Sequence, residues 1–192
     1  MYRYFKHLTD LVMALIIFLL LSPVFLLLFL IPRAIFRQER LGQNGKSFTI
    51  FKIRTMHSVE PGKLTADRNR VTKAGHFLRA TGLDELPQVI NILFGQMSFI
   101  GPRALPAEYW ERIPVRYNKR FGVKPGISGL AQVLGRNQIS WPQKFRLDCF
   151  YAKHQSPGLD LKILADALAI VLSGKAAYAT DSKTMEELQP FE

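Results

Sequence analysis

From Leu11 to Ile31 every position is apolar except Ser22 and Pro23. Wound as one helix, this run is about 30 Å long, enough to cross the hydrocarbon core of a bilayer. Pro23 falls near its midpoint. There it removes a backbone hydrogen bond and crowds the preceding turn. A carbonyl freed in hydrocarbon needs a new partner, and the Ser22 hydroxyl stands next to it. Arg3 and Lys6 precede the run, and Arg33, Arg37 and Arg40 follow it. The bias of basic flanks toward the cytoplasm draws both ends to one side, which a re-entrant hairpin bent at Ser22-Pro23 would satisfy. Proline-kinked spanning helices are also common, so the residues leave both topologies open. A cleaved signal peptide fits less well, because Pro32-Arg33 follows the run where small residues belong.

Beyond Arg33 the pattern changes to that of a single domain without internal repeats. The turn signal Gly42-Gln43-Asn44-Gly45 precedes Phe48–Ile53, a β-branched and aromatic run that predicts a strand or hairpin. Residues 57–69, with Pro61 and Gly62, predict a loop, and Thr72–Ala80 a short basic helix. A helix through Leu93 is expected with Asp84 as its N-cap, Pro87 in its first turn and Gly95 at its end. Residues 106–120 predict helix with a break at Pro114. Residues 124–129 form a turn-rich loop. Gln143–Lys153 predicts a helix with aromatics on one side. Leu161–Leu172 predicts an apolar helix capped by Asp160 and ended by Gly174. Its stripe of Leu161, Leu164, Leu168 and Leu172 reads as core in preference to membrane contact. The boundaries are then a membrane helix at 1–36, a cytosolic domain at 37–177 and a polar, mobile tail at 178–192.

Charge narrows the partners. The chain of 192 residues carries 26 basic against 15 acidic side chains, a formal charge of +11. That excess points to a polyanion: nucleic acid, anionic lipid or a phosphorylated substrate. No helix-turn-helix, RRM or KH signature is present, which weighs against nucleic acid. The single cysteine, Cys149, excludes an intramolecular disulfide, and no Cys/His cluster has zinc spacing.

The candidate chemistry is Asp84-Glu85 in "TGLDELPQVINIL", residues 81–93. Alone, two acids in a first helical turn need no more explanation than the helix dipole. Their setting is rich in cations: Arg79 upstream, Arg103 in Gly101-Pro102-Arg103, Arg136 after Gly135, and Lys52 and Arg54 on either side of Ile53. Arginines beside turns suit phosphate recognition. A carboxylate among phosphates can bind Mg²⁺ or attack phosphorus, and a second can act as a base.

Several stretches together resemble one family. These are "SP" within the apolar run, "FKIRTM" at 51–56, "GHFLRATGLDELPQVINILFGQMSFIGPR" at 75–103, "KPGISGLAQVLGRNQISW" at 124–141 and "LDLKIL" at 159–164. The chain resembles the monotopic phosphoglycosyl transferases, the bacterial sugar transferase family, from its N-terminus to about residue 172. The resemblance implies a predominantly helical α+β fold. An N-terminal re-entrant membrane hairpin helix, broken at Ser22-Pro23, and interfacial amphipathic helices would support a small cytosolic catalytic domain. It implies transfer of a phospho-sugar from a UDP-sugar to undecaprenyl phosphate with release of UMP. The site would lie on the cytoplasmic face of the bacterial inner membrane, with downstream glycosyltransferases as possible partners. Asp84 would be the nucleophile and a Mg²⁺ ligand, Glu85 its dyad partner, and Arg79, Arg103 and Arg136 phosphate binders.

The chain departs from the family pattern at Ile53, Leu41, Ala104 and Lys124, where phenylalanine, proline, proline and arginine are usual. None touches the dyad, but they loosen the inference about the sugar. The short architecture and "GRNQISW" imply an N-acetylated hexosamine, with diacetylbacillosamine first. The alternative function is a membrane-tethered basic module that binds anionic lipid or nucleic acid.

Overall fold

The structure, a computed structural model, describes residues 1–57, 70–135, 138–173 and 188. The apolar run forms two helices, α1 (Tyr2–Leu20) and α2 (Ser22–Leu30), bent by 69°. The break sits at Leu21, whose φ/ψ of −97°/10° leaves the helical range, and Pro23 opens α2. The Ser22 hydroxyl donates to the Leu19 carbonyl at 2.8 Å. Serine thus satisfies a carbonyl that proline leaves without its helical donor. Among the described residues, no single helix is long and apolar enough to cross a membrane; the bent pair together reaches that length and composition.

The hairpin is not detached. Ala14 of α1 and Phe25 of α2 are buried in one cluster with Ile50, Val89, Ile92 and Met97, and the Phe18 and Phe25 rings stack at 5.2 Å. Its outer face, including Leu8, Val12, Leu15, Leu19, Leu26 and Leu30, stays exposed. A contiguous apolar surface of this kind marks contact with a partner or a membrane.

The predicted strand is one arm of an antiparallel hairpin, β1 (Ile35–Leu41) and β2 (Ser47–Ile53), in register from Ile35↔Ile53 to Leu41↔Ser47. Helix α3 (Lys73–Thr81) is capped by Thr72, whose side chain accepts from the Gly75 N–H at 2.9 Å. Helix α4 (Gln88–Leu93) follows, ended by Gly95 at φ 70°. The loop expected at 124–129 contains a strand, β4 (Gly126–Ser128), parallel to β3 (Ser98–Ile100). A Cβ on Gly101 or Gly126 would collide with the other's backbone. The two motif loops therefore pack closer than any side chain allows.

Residues 106–120 are not α-helical. Two 3₁₀ stretches, Ala107–Arg112 and Val115–Gly122, flank the break at Pro114. Helices α5 (Leu130–Leu134), α6 (Trp141–His154) and α7 (Pro157–Leu172) complete the domain. Helix α6 begins with a Ser140/Gln143 capping box.

Helix α7 departs from expectation twice. Its N-cap is Ser156, not Asp160, which lies buried in the first turn. The leucine stripe is not core either: Leu161, Leu164, Leu168 and Leu172 are 66%, 40%, 54% and 85% exposed. The helix is apolar on more than one side, and the domain claims only the side bearing Ile163. Gly174 lies outside the described residues. In the segment read as a polar tail, Leu188 is buried with Leu41, Leu105 and Tyr109, and Arg112 donates to its carbonyl at 3.1 Å. The rest of that segment lies outside the described residues.

Candidate active site

Asp84 is not a helix cap. Helix α3 ends on Gly82, which takes a left-handed φ of 73°. A Cβ there would meet nothing within 4 Å, so the requirement is conformational rather than steric. The reversal leads into a 3₁₀ turn, Leu83–Glu85, and Pro87 then opens α4. The dyad thus occupies a tight elbow between two helices.

The elbow is tied to β2 by Asn91, which is fully buried on α4. Its amide donates to the Thr49 carbonyl at 2.7 Å and accepts from the Phe51 N–H at 3.3 Å. Lys52 is thereby held opposite the elbow. Its Nζ lies 2.6 Å from Glu85 Oε1, with both side chains 16% exposed. Arg103 reaches the same oxygen at 3.6 Å. The segment carrying Arg103 is braced by Arg120, which donates to the Arg103 carbonyl at 2.8 Å and pairs with buried Asp148 at 2.8 Å. Arg79, from the last turn of α3, donates to Thr55 Oγ1 at 2.9 Å and adds positive potential at Asp84.

The two carboxylates are pushed in opposite directions. Burial raises the Asp84 carboxyl above its ordinary range, and Glu85 beside it raises it further; Lys52, Arg79 and Arg103 oppose without cancelling. Burial also acts upward on Glu85, but Lys52, Arg103 and Arg40 outweigh it and hold that carboxyl below its ordinary range. Glu85 is therefore the fixed anion. Asp84 makes no hydrogen bond or ion pair among the described residues and is the more basic of the two. Divergent environments of this kind assign different tasks to neighbouring acids.

Of the cations singled out in the sequence, the fold brings Lys52, Arg79 and Arg103 to the dyad. It does not bring Arg54, whose Nε donates to the Arg33 carbonyl and whose guanidinium lies over the Phe36 ring. Arg136 lies outside the described residues. Sequence reasoning missed Arg40 as a site residue. It bonds the Ala104 carbonyl at 3.1 Å and Gln38 at 2.6 Å, and its buried Nε has no partner among the described residues. Burial and Arg103 lower its pKa to about 10. The available signal was the Gln38/Arg40 alternation on β1, which sets both side chains on one face of the hairpin.

The sequence matches known proteins along most of its length. The family described as Bacterial sugar transferase matches residues 1–174. "Uncharacterized sugar transferase EpsL" of Bacillus subtilis (strain 168) is 39% identical over 189 residues, covering 94% of each chain. "UDP-glucose:undecaprenyl-phosphate glucose-1-phosphate transferase" of Escherichia coli (strain K12) is 38% identical, covering 92% of this chain and 42% of its own length. "UDP-galactose-lipid carrier transferase" of Erwinia amylovora is 36% identical, over 92% of this chain and 42% of its own. The chain thus spans nearly all of the Bacillus protein but about two fifths of the other two. With its elbow dyad, its motif loops and this match along its length, the chain belongs to the bacterial sugar transferase family.

Proposed function

We propose that the protein transfers a phospho-sugar from a UDP-sugar to undecaprenyl phosphate and releases UMP. Asp84 carries the group between the two substrates. The relatives' names support the reaction class. The observation that carries the residue assignment is the asymmetry of the dyad: Glu85 is engaged by Lys52, whereas Asp84 is unpaired among the described residues and raised in basicity.

An Asp84 oxygen attacks the sugar-bearing phosphorus, and the bond to the bridging diphosphate oxygen breaks. UMP leaves with that bond's electron pair, and an acyl phosphate to the sugar remains on Asp84. An oxygen of the polyprenyl phosphate then attacks the same phosphorus. The carboxylate is released and a polyprenyl-diphosphate sugar forms. Arg79 and Arg103 bind phosphate oxygens in both steps. Glu85, held ionised by Lys52, is a weak base; its task is to fix Lys52 and Arg103.

Mg²⁺ fits this donor set. Asp84 is one carboxylate free to bind it, and magnesium is commonly held by one or two carboxylates plus substrate phosphates. When bound, the ion supplies charge neutralisation on the diphosphate.

The bent hairpin supports a re-entrant anchor that keeps both ends on the cytoplasmic face of the inner membrane. A water-soluble nucleotide sugar and a bilayer-bound phosphate then meet at one boundary. The product would pass to downstream glycosyltransferases. The sugar is proposed from the resemblance as an N-acetylated hexosamine such as diacetylbacillosamine, while glucose and galactose appear in the relatives' names. Purified protein given a UDP-sugar panel with undecaprenyl phosphate and Mg²⁺ should release UMP with one or a few donors. No UMP from any donor would overturn the reading.

A further inference from the structure

A buried polar cluster outside the dyad joins the anchor to the domain. Lys6 and Asp10 of α1 and Asp160 of α7 are all buried. Asp160 accepts from three groups: Lys6 Nζ at 2.7 Å and the Tyr2 hydroxyl at 2.6 Å on one oxygen, and the Tyr151 hydroxyl at 2.7 Å on the other. Lys6 also lies 3.8 Å from Asp10. Two helices far apart in sequence thus share one carboxylate.

The cluster extends to β3. The Tyr151 hydroxyl lies 3.0 Å from the Ile100 carbonyl, and the Phe99 N–H points at Asp10 Oδ1 at 3.5 Å. Tyr151 has one proton, shared between Asp160 and Ile100. Burial first, and then Asp160, raise the Tyr2 and Tyr151 phenols far above their ordinary values, so both remain donors. Past Ile100 the chain runs directly through Gly101-Pro102 to Arg103, which contacts Glu85.

Burying so many polar groups is costly, and replacing such pairs by apolar residues is often neutral or stabilising. Stability is therefore a weak reason for the cluster. Geometry is a better one, since charge-assisted bonds fix orientation. We propose that Tyr2, Lys6, Asp10, Tyr151 and Asp160 are positioning residues. They clamp the cytosolic end of the membrane hairpin onto β3, so that docking of the anchor sets the segment that delivers Arg103 to the dyad. The anchor would then align the site as well as hold it at the membrane. The link to turnover rests on the transferase reading above, but the clamp itself does not.

The test is the full chain in detergent carrying the paired replacement Lys6→Met with Asp160→Leu, together with Asp10→Asn so that no carboxylate is left buried without its cation. Its thermal midpoint should stay near that of the unaltered protein. Amide hydrogen exchange in residues 98–105 should nonetheless quicken. With an accepted UDP-sugar, KM should rise about 10- to 100-fold, the effect expected of a misplaced binding group, with a smaller change in kcat. Normal exchange and normal KM at restored stability would mean the cluster only holds the fold, and would overturn the proposal. Tyr151→Phe removes a single hydroxyl and tests the β3 end if the paired variant does not fold. It should shift both readouts in the same direction, and unchanged values would also overturn the proposal. Failure of the unaltered protein to turn over any UDP-sugar would count against the transferase reading alone, because hydrogen exchange still decides the clamp.

Discussion

Lys52 on β2 and Glu85 in the elbow after α3 are joined at 2.6 Å across 33 residues of chain. This pair divides the two acids into a fixed anion and an available one. Breaking a buried pair by removing one partner leaves an uncompensated charge. Lys52→Met should therefore lower stability by about 3 kcal/mol and depress UMP release together with it. A denaturation midpoint and an initial rate on the same sample check both. Unchanged stability would show the pair to be energetically idle.

Asp84→Asn should abolish UMP release while the protein still partitions with membranes. It should also stabilise the folded chain at neutral pH by about 1 kcal/mol, the scale gained when a functional liability is removed. The sign follows from burial and from Glu85, which both disfavour the ionised form of Asp84. Retained turnover would remove Asp84 as the nucleophile.

Acid should expose the contribution of Glu85. Its folded pKa is depressed, so the stability it adds is complete above its unfolded value, about pH 4.3, and fades as pH falls through the folded value. The raised Asp84 acts in the opposite sense: its contribution falls as pH climbs from the unfolded toward the folded value. In an Asp84→Asn background, where the coupled neighbour no longer titrates, melting midpoints with and without Glu85→Gln should differ by a constant amount above about pH 5 and converge below it. A gap that widens in acid would contradict the assignment.

Arg3→Cys and Arg37→Cys, each in a Cys149→Ser background, should both react with an impermeant thiol reagent from the cytoplasmic side. Replacing Ser22-Pro23 with two alanines restores the missing backbone donor and should straighten the 69° bend. The two positions should then label from opposite sides. Opposite labelling in the unaltered hairpin would mean a spanning helix.

The exposed leucines of α7 predict membrane contact rather than packing. Leu161→Gln with Leu168→Gln should change stability by less than about 0.5 kcal/mol, as surface substitutions do, yet weaken retention on anionic vesicles. A large loss of stability with normal retention would return the stripe to a core.

Much was legible because it is written locally. The bend follows from one proline and one serine, the β2 strand from its β-branched run, α3 from the basic run that begins at Thr72, and most of α6 from the run that begins at Gln143. The motifs around Asp84 named the candidate nucleophile and its family without any coordinates. Tertiary structure decided the rest. It brought Lys52 and Arg103 to Glu85, turned Arg54 to the Arg33 carbonyl, and recruited Arg40. It placed Asp160 in a buried cluster with α1 rather than at a cap, and left the α7 leucines facing outward. Residue type and spacing set torsions and helix faces, which depend on neighbours within a turn or two. Which groups share a desolvated site, and which carboxylate stays charged there, depends on partners that meet only when distant segments pack.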